Sequence, residues 1–266
     1  MSRLALLGVV AALLLASCGG GGTERVVVAA GTTVVDSGLL DRLVAVYETA
    51  HPDVELSVVP AGSTEVLALG ARGAADLLLS HLPAAEEEFL AAHPDAVAAD
   101  VFTSGFLLVG PPGQDVVPPG TPVVDAFARI AAAGAPFVTR NDGSGTNVRE
   151  RTLWRLAGID PSGETWYVDT GQGMGFTLQV ADQRGAFTLS EAGAFTAAAA
   201  TLSLAEIAVT DPGGVLVNPY RGIVVDPAAH PGARRFLTWL TSPAGREAIR
   251  AADEELFGRP VYRPAP

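Results

Sequence analysis

The segment Arg25-Val26-Val27-Val28-Ala29-Ala30-Gly31-Thr32-Thr33 reads as a buried strand running into a polar turn. The β-branched run suits a strand covered on both faces, and the glycine and paired threonines end it. Beyond the turn, Leu39, Leu40, Leu43, Val44 and Tyr47 fall on one side of a helical pattern from Ser37 to Tyr47. The unit recurs. Val54 to Val59 is a second strand, followed by Gly62-Ser63 and a helix start at Thr64 to Leu69; Asp76 to Leu79 is a third, followed by a helix at Ala84 to Ala92. Strand, turn and helix in threefold succession predict an α/β fold with a mostly parallel sheet flanked by helices.

Further along, Phe106 to Val109 stops at Gly110-Pro111-Pro112-Gly113, and Pro118-Pro119-Gly120 follows, which marks a boundary between two α/β units. The second series has helices at Val123 to Ala132, Gly145 to Leu156 and Met174 to Gln183. Its strands are expected at Phe137 to Thr139, Trp166 to Asp169, Ala186 to Leu189, Ile207 to Val209 and Val215 to Val217. Tyr220 to Val225 is another strand, and the last helices carry Phe236, Leu237, Trp239 and Leu240. The length suits two packed domains.

At the other end, Met1-Ser2-Arg3 precedes an apolar run from Leu4 to Leu15, too short to span a bilayer comfortably. That run fits a secretory signal over residues 1–17, and Leu15-Ala16-Ser17-Cys18 resembles a bacterial lipobox. Cys18, the lone cysteine, is then the expected lipidation site, and residues 18–24 a flexible tether holding the chain at the extracytoplasmic face of the cell membrane. The formal charge is −12, or −13 once Arg3 leaves with the signal, which makes nucleic acid a poor partner. An anion site on so acidic a chain has to depend on local donors.

Three turns offer such donors: Gly31-Thr32-Thr33, Gly62-Ser63-Thr64 and Asp142-Gly143-Ser144-Gly145-Thr146. The first turn of a helix leaves N–H groups without partners, its dipole favours negative charge, and hydroxyls and glycine add donors and access. Ordinary helix capping explains any single turn of this kind; three in one α/β chain favour a site. Arg140 stands directly before the last turn, where its guanidinium can fork onto an oxyanion or pair with Asp142.

Arg140-Asn141-Asp142-Gly143-Ser144-Gly145-Thr146 resembles the R-x-D-x-S-G-T segment of bacterial tungstate-binding proteins. Asp36-Ser37-Gly38-Leu39-Leu40 after the paired threonines, Trp166-Tyr167, Thr170-Gly171-Gln172-Gly173-Met174-Gly175, Ala186-Phe187-Thr188-Leu189-Ser190 and Asn218-Pro219-Tyr220 resemble that family in the same order, from about Val26 to Ile249. The resemblance implies a two-lobed periplasmic binding fold that delivers its anion, as a monomer, to an ABC permease and its ATPase. It places ligand contacts at Thr32, Thr33, Ser63, Arg140, Ser144, Gly145, Thr146 and Gly173. The lobes are expected at residues 25–106 with 208–266 and at residues 107–207, with crossovers near Phe106 to Gly110 and Leu204 to Val209. The chain departs from the family pattern at Val34-Val35, where a longer hydroxyl run is usual, and at Ser104-Gly105, where Asn-Asp is usual.

Phosphate-binding proteins share a similar loop, so molybdate and phosphate stay open beside tungstate. Protonation separates phosphate: it carries a proton that a carboxylate can accept, and Asp142 is the acid placed to do so. Catalysis finds little support. Ser144 lacks the outer glycines of a nucleophile elbow, which leaves a secreted hydrolase as the remote alternative. A sensory module feeding a receptor lacks its transmembrane helix. His51, His93 and His230 precede prolines, and His81, after an apolar strand, either faces the cleft or is a hydrogen-bonded structural histidine. No cofactor is implied, and no cluster has the spacing of metal ligands.

Overall fold

The computed structural model describes residues 23–266; the signal and lipobox expectations, Cys18 included, lie outside the described residues. In chain order the elements are β1 (Glu24–Gly31), α1 (Thr32–Asp36), α2 (Leu39–Ala50), β2 (Val54–Ala61), α3 (Ser63–Ala71), β3 (Leu77–Ser80), α4 (Pro83–Ala92) and β4 (Val97–Gly110). Then follow β5 (Thr121–Pro122), α5 (Val123–Ala133), β6 (Phe137–Thr139), α6 (Gly145–Leu156), β7 (Tyr167–Asp169), α7 (Met174–Arg184), β8 (Thr188–Glu191) and α8 (Ala192–Ala198). The chain ends with β9 (Ala205–Glu206), β10 (Val209–Thr210), β11 (Val217–Val224), α9 (Pro231–Thr241), α10 (Pro243–Phe257) and β12 (Arg263–Pro264).

The fold is α/β. β1 is central to the first unit, parallel to β2 on one side (Val26 opposite Leu56) and to β3 on the other (Val28 opposite Leu77). The full order is β12-β4-β11-β3-β1-β2, with β11 antiparallel to both β3 and β4. Val26, Val28, Leu77 and Leu79 point to one face, where Leu39, Leu40, Leu43 and Tyr47 of α2 and Phe236 and Leu240 of α9 cover them. Ala29, Leu78 and Ile223 point to the other, against Val66 of α3 and Phe89 of α4. Burial on both faces is why these strands read as unbroken apolar runs and not as alternating ones.

β4 is the long connector. Its first half pairs with β11 as far as Gly105, and its second half, from Phe106, pairs with β8 and β9. Phe106 and Leu108 thereby enter a second core with Phe127, Phe137, Trp154 and Phe187. The return of the chain differs from the sequence expectation. Ile207, Val209, Val215 and Leu216 still pack on that second core, and the Phe106 N–H donates to the Leu216 carbonyl. The chain therefore comes back at Leu216–Val217, not at Leu204–Val209. Two short strands, β9 and β10, hold the intervening segment in place; the strand expected at Ile207 to Val209 meets β10 only at Val209.

Candidate functional site

Four strands deliver their carboxyl ends to one place. β1 ends at Gly31 and α1 begins with Thr32 and Thr33; β2 ends at Ala61 before Gly62 and Ser63; β3 ends at Ser80 before His81; β6 ends at Thr139 before Arg140. Ligands of open α/β sheets bind outside the carboxyl ends of the strands. Here Thr32, Thr33, Ala61, Gly62, Ser63 and His81 from the first unit and Arg140, Ser144, Gly145 and Thr146 from the second line one narrow cavity between the two units.

The Arg140–Thr146 loop is shaped for a helix start. Asn141 and Gly143 take left-handed backbone angles (φ 46° and 71°), which glycine adopts without strain and asparagine tolerates. Asp142 stabilises the turn, accepting the Ser144 N–H at 3.1 Å and the Arg140 Nε and Nη2 donors at 3.0 and 2.5 Å. Its carboxylate is thus spent on the loop and is not among the groups lining the cavity. The Ser144 hydroxyl oxygen accepts the Asn147 N–H at 3.4 Å as the helix cap, leaving its own proton free.

Arg140 is 3% exposed, and its Nη1 has no partner among the described residues. Thr146 Oγ1, in a side chain equally hidden, has none either. A buried donor without an acceptor costs about 1–3 kcal/mol, more when charged, so two on one wall describe a surface completed by an acceptor.

On the opposite wall, Ser63 Oγ lies 2.7 Å from His81 Nε2 and accepts the Gly145 N–H at 3.3 Å, a contact between the two units. His81 Nδ1 lies 2.9 Å from the Asn218 amide oxygen, and its ring stacks on Tyr220 with centroids 4.8 Å apart. Tyr220 in turn holds Thr33, hydroxyl to hydroxyl, at 3.3 Å. Burial pushes His81 down to about 4, against the smaller opposing effect of its Asn218 hydrogen bond, so the ring is neutral near pH 7.

Of the residues expected from sequence, Thr32, Thr33, Ser63, Arg140, Ser144, Gly145 and Thr146 come together around the cavity. Gly173 does not. It is exposed at the start of α7, where its carbonyl accepts the Thr177 N–H and hydroxyl, so its glycine serves a helix start away from the cavity. His81 resolves both ways at once, lining the cavity and hydrogen-bonded on both nitrogens. Its support from Asn218 had no local signal, because the two residues stand 137 positions apart. Among the described residues, no group of three or more His, Cys, Asp or Glu is arranged to hold a metal ion.

Two α/β units joined by a long strand, with hydroxyls and one arginine facing each other across the junction, define a solute-binding protein of the periplasmic type. The sequence matches the PBP superfamily domain over residues 19–244. The tungstate-binding protein TupA of Peptoclostridium acidaminophilum is 35% identical over 243 residues, 88% of this chain and 83% of that protein. A Haloferax volcanii protein described as an ABC transporter anion-binding protein is 41% identical over 82% of this chain, which spans 66% of the length of that relative. The structure of the tungstate-binding protein TupA from Desulfovibrio alaskensis G20 superposes with a TM-score of 0.77 at 31% identity, covering 91% of this chain and 99% of that one. The chain belongs to the TupA family of tungstate-binding proteins within the PBP superfamily. The family is one of binding proteins, not enzymes.

Proposed function

We propose that this chain captures tungstate outside the cytoplasm and presents it to an ABC permease and its ATPase. One observation carries the reading: two buried donors, Arg140 Nη1 and Thr146 Oγ1, belong to residues that line the cavity and have no acceptor among the described residues, while the nearby Asp142 carboxylate is turned into its own loop. A fully deprotonated tetrahedral anion offers only acceptors and matches such a wall. A protonated phosphate would need a carboxylate, and none lines the cavity. Thr32, Thr33 and Ser63 on one side and Arg140, Ser144, Gly145 and Thr146 on the other are the assigned contacts.

The protein works as a monomer of two lobes, residues 25–105 with 217–266 and residues 106–216. The anion favours their closed arrangement by touching both. Cys18 carries the lipid that keeps the mature chain at the membrane surface after removal of residues 1–17.

Calorimetric titration with tungstate, molybdate, sulfate and phosphate tests the ligand. Tungstate at 1,000 times its Kd stabilises the fold by about 4 kcal/mol. For a chain of this size that raises the melting temperature by roughly 8–16 °C. No response to any of the four anions defeats the reading, a preference for molybdate corrects the ion, and phosphate binding that collapses in Asp142→Asn moves the chain to a phosphate receptor. For the anchor, Cys18→Ser releases the protein from the membrane fraction; retention there refutes the lipid.

A further inference from the structure

The chain of contacts from Asn218 through His81 to Ser63 permits two proton arrangements, and they differ in what Ser63 shows to the cavity. In the first, the Asn218 amide oxygen faces the ring 2.9 Å from Nδ1. Nδ1 then carries the ring proton, and the bare Nε2, 2.7 Å from Ser63 Oγ, takes the single hydroxyl proton of Ser63. Ser63 is left to face the ligand with a lone pair, and the Asn218 Nδ2 donor stays buried without a partner.

In the second arrangement a half-turn of the amide places Nδ2 against Nδ1 at the same heavy-atom spacing, which pairs the orphaned donor and moves the amide oxygen into the unpartnered position, where an acceptor is less costly to leave unmet than a donor. Nε2 now carries the proton and donates to Ser63. Ser63 Oγ accepts from His81 and from the Gly145 N–H at 3.3 Å, so both lone pairs are occupied and its proton is free for the cavity. We infer that His81 works as the neutral Nε2–H tautomer, fed at Nδ1 by the Asn218 amide, and thereby makes the Ser63 hydroxyl a donor to the bound oxyanion. The inference rests on the oxyanion reading above and names His81 as a positioning residue acting through Ser63.

Three features favour it. An anion with only acceptors would meet a lone pair in the first arrangement and a proton in the second. Stacking on Tyr220 at an interplanar angle of 11° fixes the ring plane, so Nε2 stays aimed at Ser63. Burial keeps the imidazole neutral, which makes the tautomer, not the charge, the variable. The two arrangements contain the same protons, and the ring N–H exchanges with water before the cleft closes.

The test is nitrogen-15 NMR of the full chain labelled at histidine and saturated with tungstate, with His81 assigned through its contact to the Tyr220 ring. A protonated Nε2 and a bare Nδ1 are expected; a protonated Nδ1 overturns the assignment. A double-mutant cycle gives the energetic side. His81→Phe should weaken tungstate binding about 10- to 100-fold, one hydrogen bond to a charged ligand. In a Ser63→Ala background it should add little, and equal losses in both backgrounds mean that His81 does not act through Ser63. Failure of the unaltered chain to bind tungstate would remove the parent reading as well, whereas binding with a protonated Nδ1 removes this inference alone.

Discussion

At the scale of the residue, three buried titratable groups set the chemistry and also the pH response. Glu150, on α6, is pushed up to about 7 by burial, against the lowering effect of donors from Tyr167, Thr139 and Trp154 at 2.6–3.0 Å. Glu191, which caps α8, is likewise raised to about 7 by burial while Ser104, the Ala194 N–H and Tyr262 donate to it. A carboxyl raised on folding contributes stability that is complete below its unfolded value and is lost as pH climbs through about 7. Each costs about 1.4 kcal/mol per pH unit across that window. His81, lowered to about 4, contributes in the opposite sense: complete above its ordinary 6.5 and lost as pH falls through 4. Glu150→Gln should therefore flatten the decline of unfolding free energy between about pH 5 and pH 7, measured by urea denaturation. Curves that stay parallel to the unaltered chain would show that Glu150 does not titrate there. Arg140 is argued from its unpartnered Nη1. Arg140→Ala should lower tungstate affinity about 100-fold or more by calorimetry while the unliganded protein stays folded, since the Asp142 carboxylate it leaves is partly exposed. An unfolded variant would instead make Arg140 a structural residue.

Among the elements, the start of α6 and the end of β3 meet closely at the site. A Cβ on Gly145 would come within 2.2 Å of His81 Cε1 and 2.8 Å of both ring nitrogens, and that ring is held by Tyr220 and Asn218. Gly145→Ala should therefore keep the lobes from meeting as they do here. Tungstate affinity should fall about 10-fold or more while the melting temperature of the unliganded protein changes little, because in the unliganded protein the lobes can part. Unchanged affinity would mean that the lobes need not come this close on binding. The same junction shows how far the sequence could be read. Gly143-Ser144-Gly145-Thr146 announces itself as an anion-ready helix start because the physics is local: free N–H groups, a capping serine and a left-handed glycine. Val26 to Ala30 announces a strand for the same reason. What could not be read is what long-range pairing makes. β4 meets β11 over a hundred residues later, the return strand starts at Val217 and not near Val209, and the Asn218–His81–Ser63 series joins three separate strand ends. Gly173, outside the residues that line the cavity, could not be placed from sequence, because a glycine before a helix looks alike whether or not a ligand sits there.

For the whole molecule, net charge and local site act in opposite directions. The chain carries a formal charge of −12, with 17 basic against 29 acidic side chains, and its proposed ligand is a dianion. At low ionic strength the ligand meets the field of the entire surface, because the screening length at 0.01 M is about 30 Å and at 0.15 M about 8 Å. Inside the closed cleft it meets a guanidinium and hydroxyls shielded from solvent, where salt has little effect. Association should accordingly speed up as salt is added, and dissociation should hardly change. We expect the association rate for tungstate, followed by stopped-flow tryptophan fluorescence, to rise about 2-fold or more between 0.01 and 0.15 M sodium chloride. The direction is the informative part, since an anion receptor that steers its ligand by surface charge slows in salt. A rate that falls would mean that the basic side chains along α6, Arg149, Arg151 and Arg155, outweigh the acidic remainder at the mouth of the cleft. Replacing Arg151 and Arg155 by glutamine should then restore the rise. With either sign, the affinity at 0.15 M salt depends mainly on buried donors, which is how an acidic protein holds an anion that its own surface repels.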